Sequence, residues 1–208
     1  MKKVKIGVVG LGRLGKVHAQ NIRYKIPGAE LTAACSIVPA ELEYAKNELG
    51  VTDVYTDYKE MLAKADIDAV VIVTTSSEHC WQIEAALDAG KHVFSEKPLG
   101  VDVAQCKQAE AAVERHPELT FMLGFMRRYD KSYSYAKQKI EEGAIGTPYL
   151  VKATGIDPEA FVEGAIRFAK NSGGIFLDMA IHDIDLMRWF LGCEATEVYA
   201  MGATFKHP

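Results

Sequence analysis

The 208-residue sequence predicts an α/β fold: a doubly wound parallel sheet over its first part, followed by a tail of different pattern. Three observations predict it. Short apolar runs alternate with stretches of helical period over roughly the first 120 residues, the pattern of strands joined by right-handed helical crossovers. The first apolar run, Val4 to Val9, feeds straight into Gly10-Leu11-Gly12-Arg13-Leu14-Gly15. A later one, His92-Val93-Phe94, delivers Ser95-Glu96-Lys97-Pro98 to the carboxyl end of a strand, where open parallel sheets place their ligands.

Composition narrows the function classes. Apolar residues make up 49% and charged residues 25%, an ordinary globular balance that allows one or two domains. The net charge of -4, from 28 acidic and 24 basic residues without runs, gives no basic surface for nucleic acid or an anionic membrane. Cys35, Cys80, Cys106 and Cys193 are far apart and form no CxxC, which fits buried thiols in a reducing, cytoplasmic setting and no zinc site. The longest apolar run, Ala69 to Val73, is too short to span a bilayer.

The elements follow in order. Leu14, Val17, Ile22 and Ile26 recur at helical spacing after the glycine turn, until Pro27-Gly28 stops them. Strand, GxGxxG and helix together point to dinucleotide binding. The first glycine permits the turn, the second lets backbone approach a pyrophosphate, and the third lets helix pack on strand. A second strand, Leu31 to Cys35, ends at Ser36, where an acid would ordinarily take the adenosine ribose hydroxyls. Ser36 lacks the charge that repels a 2'-phosphate, yet no Arg or Lys follows in Ile37-Val38-Pro39, so NAD is expected over NADP by a narrow margin.

Pro39 suits the first turn of a helix with Leu42, Ala45 and Leu49, ended by Gly50. Asp57 with Glu60, and Asp102 with Gln105, read as capping boxes, the first opening a short helix through Leu62 and the second a helix that ends at His116-Pro117. Ala69 to Val73 reads as a buried strand bounded by Thr74-Thr75-Ser76-Ser77, which is expected to contact the nicotinamide half of a cofactor, to cap the next helix through Ser76 or Ser77, or to do both. His79, in that helix's first turn, is expected to be structural or cofactor-adjacent, since no metal partner sits at ligand spacing. Leu119 to Leu123 is the last strand of this unit, and the Lys97-Pro98 bond is expected to be cis.

Beyond residue 124 the pattern changes. A helix is expected from Lys131 to Glu142, a strand from Tyr149 to Thr154, and an aperiodic segment from Gly155 to Gly174. A helix follows with Asp178 and His182 on one face and Ile181, Leu186 and Trp189 toward a core, closed by Gly192; a strand-like run, Thr196 to Thr204, comes last. The segment after about Tyr149 is expected to be poorly ordered or to rely on another chain, because two strands cannot bury a sheet face.

Gly10 to Gly15, Glu96-Lys97-Pro98 and Asp178-Met179-Ala180-Ile181-His182, in this order and spacing, resemble the Gfo/Idh/MocA family of nicotinamide-dependent oxidoreductases. Phe125 to Asp130 resembles its inositol dehydrogenase branch. The resemblance implies a Rossmann domain over residues 1–124 and, from 125 to 208, the start of a second α/β domain for substrate and oligomerisation, expected to be cut short, with a largely antiparallel sheet that the family often uses to form dimers or tetramers. It implies a cofactor set of Gly10, Gly12, Arg13, Leu14, Gly15, Ser36, Thr74, Thr75, Ser76, His79, Glu96, Lys97 and Arg127, with no metal.

The same resemblance implies that a hydride passes between a secondary alcohol of a cyclitol or sugar and NAD(P). His182 would be the base, Lys97 the donor to the reacting oxygen, and Asp178 the group that orients substrate or His182. Two alternatives stay open: a dinucleotide-binding sensor without catalysis, and an NADPH-dependent reductase of keto sugars.

Overall fold

The structure is a computed structural model describing residues 2–203, with the side chains at 167, 168, 170 and 171 outside that description. The chain forms two compact units, Met1–Phe125 with Asp157–Ala180, and Met126–Ile156 with Ile181–Pro208. Residues 157–180 pack with the first unit.

The first unit is built from β1 (Val4–Val9), α1 (Arg13–Tyr24), β2 (Ala29–Cys35), α2 (Pro39–Leu49), β3 (Asp53–Tyr55), α3 (Tyr58–Lys64), β4 (Ala69–Ile72), α4 (His79–Asp88), β5 (His92–Glu96), α5 (Val103–Arg115) and β6 (Phe121–Gly124). The later helices are α6 (Lys131–Glu141), α7 (Val162–Ser172) and α8 (Ile181–Leu191). All six strands are parallel, in the order β3-β2-β1-β4-β5-β6. The order reverses between β1 and β4, so the loops leaving these two neighbours diverge to opposite faces and open a crevice at their carboxyl ends.

The alternation of side chains along a strand distributes the core. Val8, Ala34 and Val71 face one helical layer with Leu11, Ala19 and Ile22. Their chain neighbours Val9, Cys35 and Ile72 face the other layer with Met61, Ile83 and Leu87. A sheet covered on both faces needs such continuous apolar strands, and each buried Val, Ile or Leu contributes roughly 1.5–3 kcal/mol. Helix ends follow local chemistry. Gly50 closes α2 at φ 67°, and the carboxylates of Asp57 and Asp102 accept the N–H groups of Glu60 (2.7 Å) and Gln105 (2.8 Å).

Five expectations need correction. A strand the sequence reading passed over, β3, pairs with β2 through only three residues, Asp53–Tyr55, too few to show a period. Neither Ser76 nor Ser77 caps α4, because a 3-10 turn over Ser76–Glu78 leads into it without a side-chain cap. The segment expected to be aperiodic contains α7, where Val162, Ala165, Ile166 and Ala169 recur at helical spacing inside a stretch flanked by Gly155 and Gly173-Gly174.

The runs 149–154 and 196–203 are assigned to no strand; residue 204 lies outside the described residues. A strand needs a partner for its N–H and C=O groups, and Tyr149, Val198 and Tyr199 remain exposed. Finally, Asp178 sits on a π-helical turn, Phe176–Ala180, and His182 on α8, so their spacing is not that of one regular α-helix.

In the second unit α6 meets α8 through Tyr133 and Phe190, whose ring centroids are 6.4 Å apart. Arg128 grips the buried carboxylate of Asp185 with two hydrogen bonds, 2.9 and 2.7 Å, and lies over Trp189.

His79 ties two strand ends of the first unit together. It is buried at the start of α4, with Nδ1 2.8 Å from the Pro98 carbonyl after β5 and Nε2 3.2 Å from the Thr74 carbonyl after β4. The Lys97–Pro98 bond is cis, as expected. Burial pushes the His79 pKa below the usual histidine range, outweighing the two carbonyls that pull it up. The neutral ring donates from only one nitrogen, so it serves one of the two carbonyls at a time.

Two predictions follow from these contacts. Asp102→Ala removes the cap of α5 and should cost about 1 kcal/mol in urea unfolding with the slope unchanged. Because the unfolded chain protonates His79 more readily than the fold does, stability should fall as pH drops below about 6.5 and level off below the depressed folded pKa; His79→Gln should flatten that segment of the stability–pH curve.

Candidate functional site

Each glycine of the first turn answers a different constraint. Gly10 has φ +85°, and a Cβ there would stand 2.5 Å from the Val73 carbonyl oxygen. At Gly15 a Cβ would fall 2.0 Å from the Gly10 carbonyl oxygen, so α1 can lie this close only without a side chain. Gly12 is different, since a Cβ there would meet only Glu41 Oε1, at 4.0 Å. The fold leaves that space open.

Arg13 begins α1, whose first turn has no acidic residue and no side-chain cap, so its backbone N–H groups are available to an anion. Gly10, Gly12, Arg13, Ser36, Thr74 and Thr75 line a cavity of about 560 Å³ at the switch point. The open position at Gly12, the uncapped helix start and a slot of this size fit a dinucleotide with its pyrophosphate over the turn.

A second cavity, of about 660 Å³, shares Arg13, Leu14, Val73 and Thr74 as walls and adds Ser76, His79, Glu96, Lys97, Phe161 and Asp178. Lys97 is the first residue after β5. Its ammonium donates to both the backbone carbonyl (2.5 Å) and the carboxylate (3.2 Å) of Asp178, and its side chain is only 15% exposed. A cation this withdrawn from water needs such acceptors, so the Asp178 turn and the end of β5 fix each other. Beside it, Glu96 Oε1 lies 2.8 Å from His18 Nε2, and the His18 ring packs on Phe94 at 5.4 Å.

The remaining predicted residues are placed as follows. Ser36 is buried and spends its hydroxyl on Glu41 (2.6 Å) while accepting from the Val38 N–H (3.0 Å). Thr74 donates to Gln82 Oε1 at 2.6 Å, and Thr75 is exposed on the cavity wall. The first unit thus brings together Gly10, Gly12, Arg13, Leu14, Gly15, Ser36, Thr74, Thr75, Ser76, His79, Glu96, Lys97 and Asp178 around two adjoining cavities. His182, in the first turn of α8, and Arg127 belong to the second unit, where Arg127 pairs with Asp183 and lies over Tyr133.

Sequence reasoning passed over Glu41, His18, Gln82 and Phe161. Phe161 packs under the Arg13 guanidinium at 5.8 Å, from a segment not expected to be helical. Glu41 carried a usable signal, an acid in the first turn of the helix after Ser36. Nothing local in the sequence marks His18. Among the described residues no group of three or more metal-ligating side chains is gathered, and no helix is long and apolar enough to cross a membrane.

Comparison with known proteins agrees with this geometry. Residues 4–125 match the model of the oxidoreductase family with an NAD-binding Rossmann fold, GFO/IDH/MocA, and residues 133–208 match the GFO/IDH/MocA C-terminal domain. The chain is 39% identical over 206 residues to scyllo-inositol 2-dehydrogenase (NAD(+)) of Bacillus subtilis, covering 99% of this chain and 59% of that one. It is 36% identical to myo-inositol 2-dehydrogenase of Thermotoga maritima, covering 96% and 58%.

Among solved structures, scyllo-inositol dehydrogenase of Lactobacillus casei with bound NAD(H) and scyllo-inositol superposes with a TM-score of 0.88 at 55% identity, covering 92% of this chain and 57% of that one. The chain therefore spans a little under three fifths of the length of the curated relatives it matches. Glycine turn, parallel sheet and both family matches lead to one conclusion: the chain belongs to the GFO/IDH/MocA family of oxidoreductases.

Proposed function

We propose that the protein oxidises a secondary alcohol of a cyclitol, with an inositol as the substrate class, by hydride transfer to NAD. The observation that carries this reading is the withdrawn Lys97 ammonium, held by Asp178 in a cavity that shares a wall with the glycine cradle. The relatives named for inositol oxidation, one of them solved with NAD(H) and scyllo-inositol, support the substrate class.

Bound NAD would supply the hydride acceptor. The proton and the charge on oxygen fall to the chain's own residues. Lys97 has an ammonium with three donors, and Asp178 offers it two acceptors, a backbone carbonyl and a carboxylate. The third, or one transferred from Asp178, can reach a substrate hydroxyl and stabilise the negative charge that develops as its proton leaves. Asp178 keeps the ammonium oriented during that exchange. His182 is assigned the base by its place in the Asp178-to-His182 run, since a neutral imidazole accepts a proton near neutral pH.

The Glu96–His18 pair and the His79 bridge hold the strand end from which Lys97 projects. The reading extends to a cytoplasmic homo-oligomer, supported on the first count by four free cysteines, of which Cys35 and Cys80 are buried and Cys193, against expectation, is exposed.

His182→Ala in the full-length protein should lower inositol turnover by roughly 10²- to 10⁴-fold and remove the base's inflection from the pH–rate profile, with the NAD dissociation constant nearly unchanged. Lys97→Ala should damage turnover to a similar extent. Steady-state kinetics with scyllo- and myo-inositol, beside calorimetric NAD binding, checks both; loss of NAD binding with turnover of the bound enzyme intact would remove His182 from the chemistry.

A further inference from the structure

The end of β2 lacks the carboxylate that ordinarily reads the adenosine ribose, yet a carboxylate stands close by. Ser36 cannot offer its proton to a ligand as placed, because its hydroxyl donates to Glu41 Oε2 at 2.6 Å and its oxygen accepts the Val38 N–H at 3.0 Å. Ser36 is only 5% exposed, so this arrangement is built into the turn. The consequence falls on Glu41. One oxygen is tied back to Ser36, and the other, Oε1, comes within 4.0 Å of where a Cβ on Gly12 would stand, over the glycine turn and on the cavity wall.

Other charged groups lining this cavity are otherwise engaged. Asp57 caps α3 through the Glu60 N–H, Glu78 accepts the Trp81 indole N–H at 2.7 Å, and Arg13 lies over Phe161. We infer that Glu41 replaces the missing strand-end acid, accepting the ribose 2'- and 3'-hydroxyls of NAD, and that Ser36 positions it. A carboxylate at that place gains two charge-assisted hydrogen bonds from a free ribose and repels a 2'-phosphate, so it sets the preference for NAD over NADP. The inference rests on the dinucleotide reading of the cavity.

Calorimetric titration of the full chain with NAD and NADP tests it, together with the thermal midpoint of each variant. Glu41→Gln should weaken NAD binding by roughly ten- to a hundredfold and move the NAD-to-NADP affinity ratio toward NADP, with the midpoint little changed. Ser36→Ala should move the ratio the same way by a smaller factor, since it frees the carboxylate to rotate. Glu41→Asp, a second variant should Gln perturb the fold, keeps the charge but retracts it by a methylene; it should lose NAD affinity several-fold while still discriminating against NADP.

A wild-type chain that binds NAD, with both Glu41 variants keeping the same affinity and ratio, would overturn the inference and leave the dinucleotide reading intact. A lowered midpoint with an unaltered ratio would overturn it too, by reducing Glu41 to a structural role. A wild-type chain that binds neither dinucleotide would sink the cofactor reading and this inference with it.

Discussion

Everything at the candidate site depends on how closely α1 approaches the turn that precedes it. With a Cβ on Gly15 only 2.0 Å from the Gly10 carbonyl oxygen, any side chain would force the helix away from β1. Gly10, at φ +85°, must in turn leave room for the Val73 carbonyl at the end of β4. Two glycines thus bring the start of a helix and the ends of two central strands into one small volume. The third, Gly12, keeps that volume empty. Such a geometry costs the unfolded chain extra conformational freedom, which the buried sheet offsets.

The other groups assemble because a parallel sheet delivers all its strand ends to one edge. β1 supplies the glycine turn, β2 the Ser36–Glu41 pair, β4 the Thr74 carbonyl and β5 the Glu96–Lys97 step. Polar contacts then replace apolar packing at that edge. His79 bridges the ends of β4 and β5, His18 holds Glu96, and Asp178 holds Lys97. Each contact satisfies a buried or half-buried polar group that would otherwise weaken the fold, and together they keep the cation of Lys97 beside the glycine cradle.

How much of this was legible in the sequence depends on whether the signal was local. The strand–turn–helix at the N-terminus, the caps at Asp57 and Asp102 and the stop at Gly50 are written in neighbouring residues, and the structure has them. β3 was too short to show a period, whereas α7 carried one, with Val162, Ala165, Ile166 and Ala169 at helical spacing, inside a stretch whose flanks read as loop. The runs near 150 and 200 have strand-like composition, but a strand exists only with a partner to pair with, and no residue type specifies that. Ser36 looked like a weak substitute for an acid because the substitute, Glu41, lies five residues on and reaches the site through the first turn of α2.

The central claim is that the space over Gly12 is kept open for a dinucleotide's pyrophosphate and not for the fold. Gly12→Ala separates the two, since a Cβ there meets only Glu41 Oε1 at 4.0 Å and the backbone angles, φ -63° and ψ -166°, suit alanine. Calorimetric titration of this variant with NAD is the most direct measurement. The account predicts an unchanged thermal midpoint with NAD affinity lowered at least about tenfold; a folded Gly12→Ala chain that binds NAD as tightly as the wild type would contradict it.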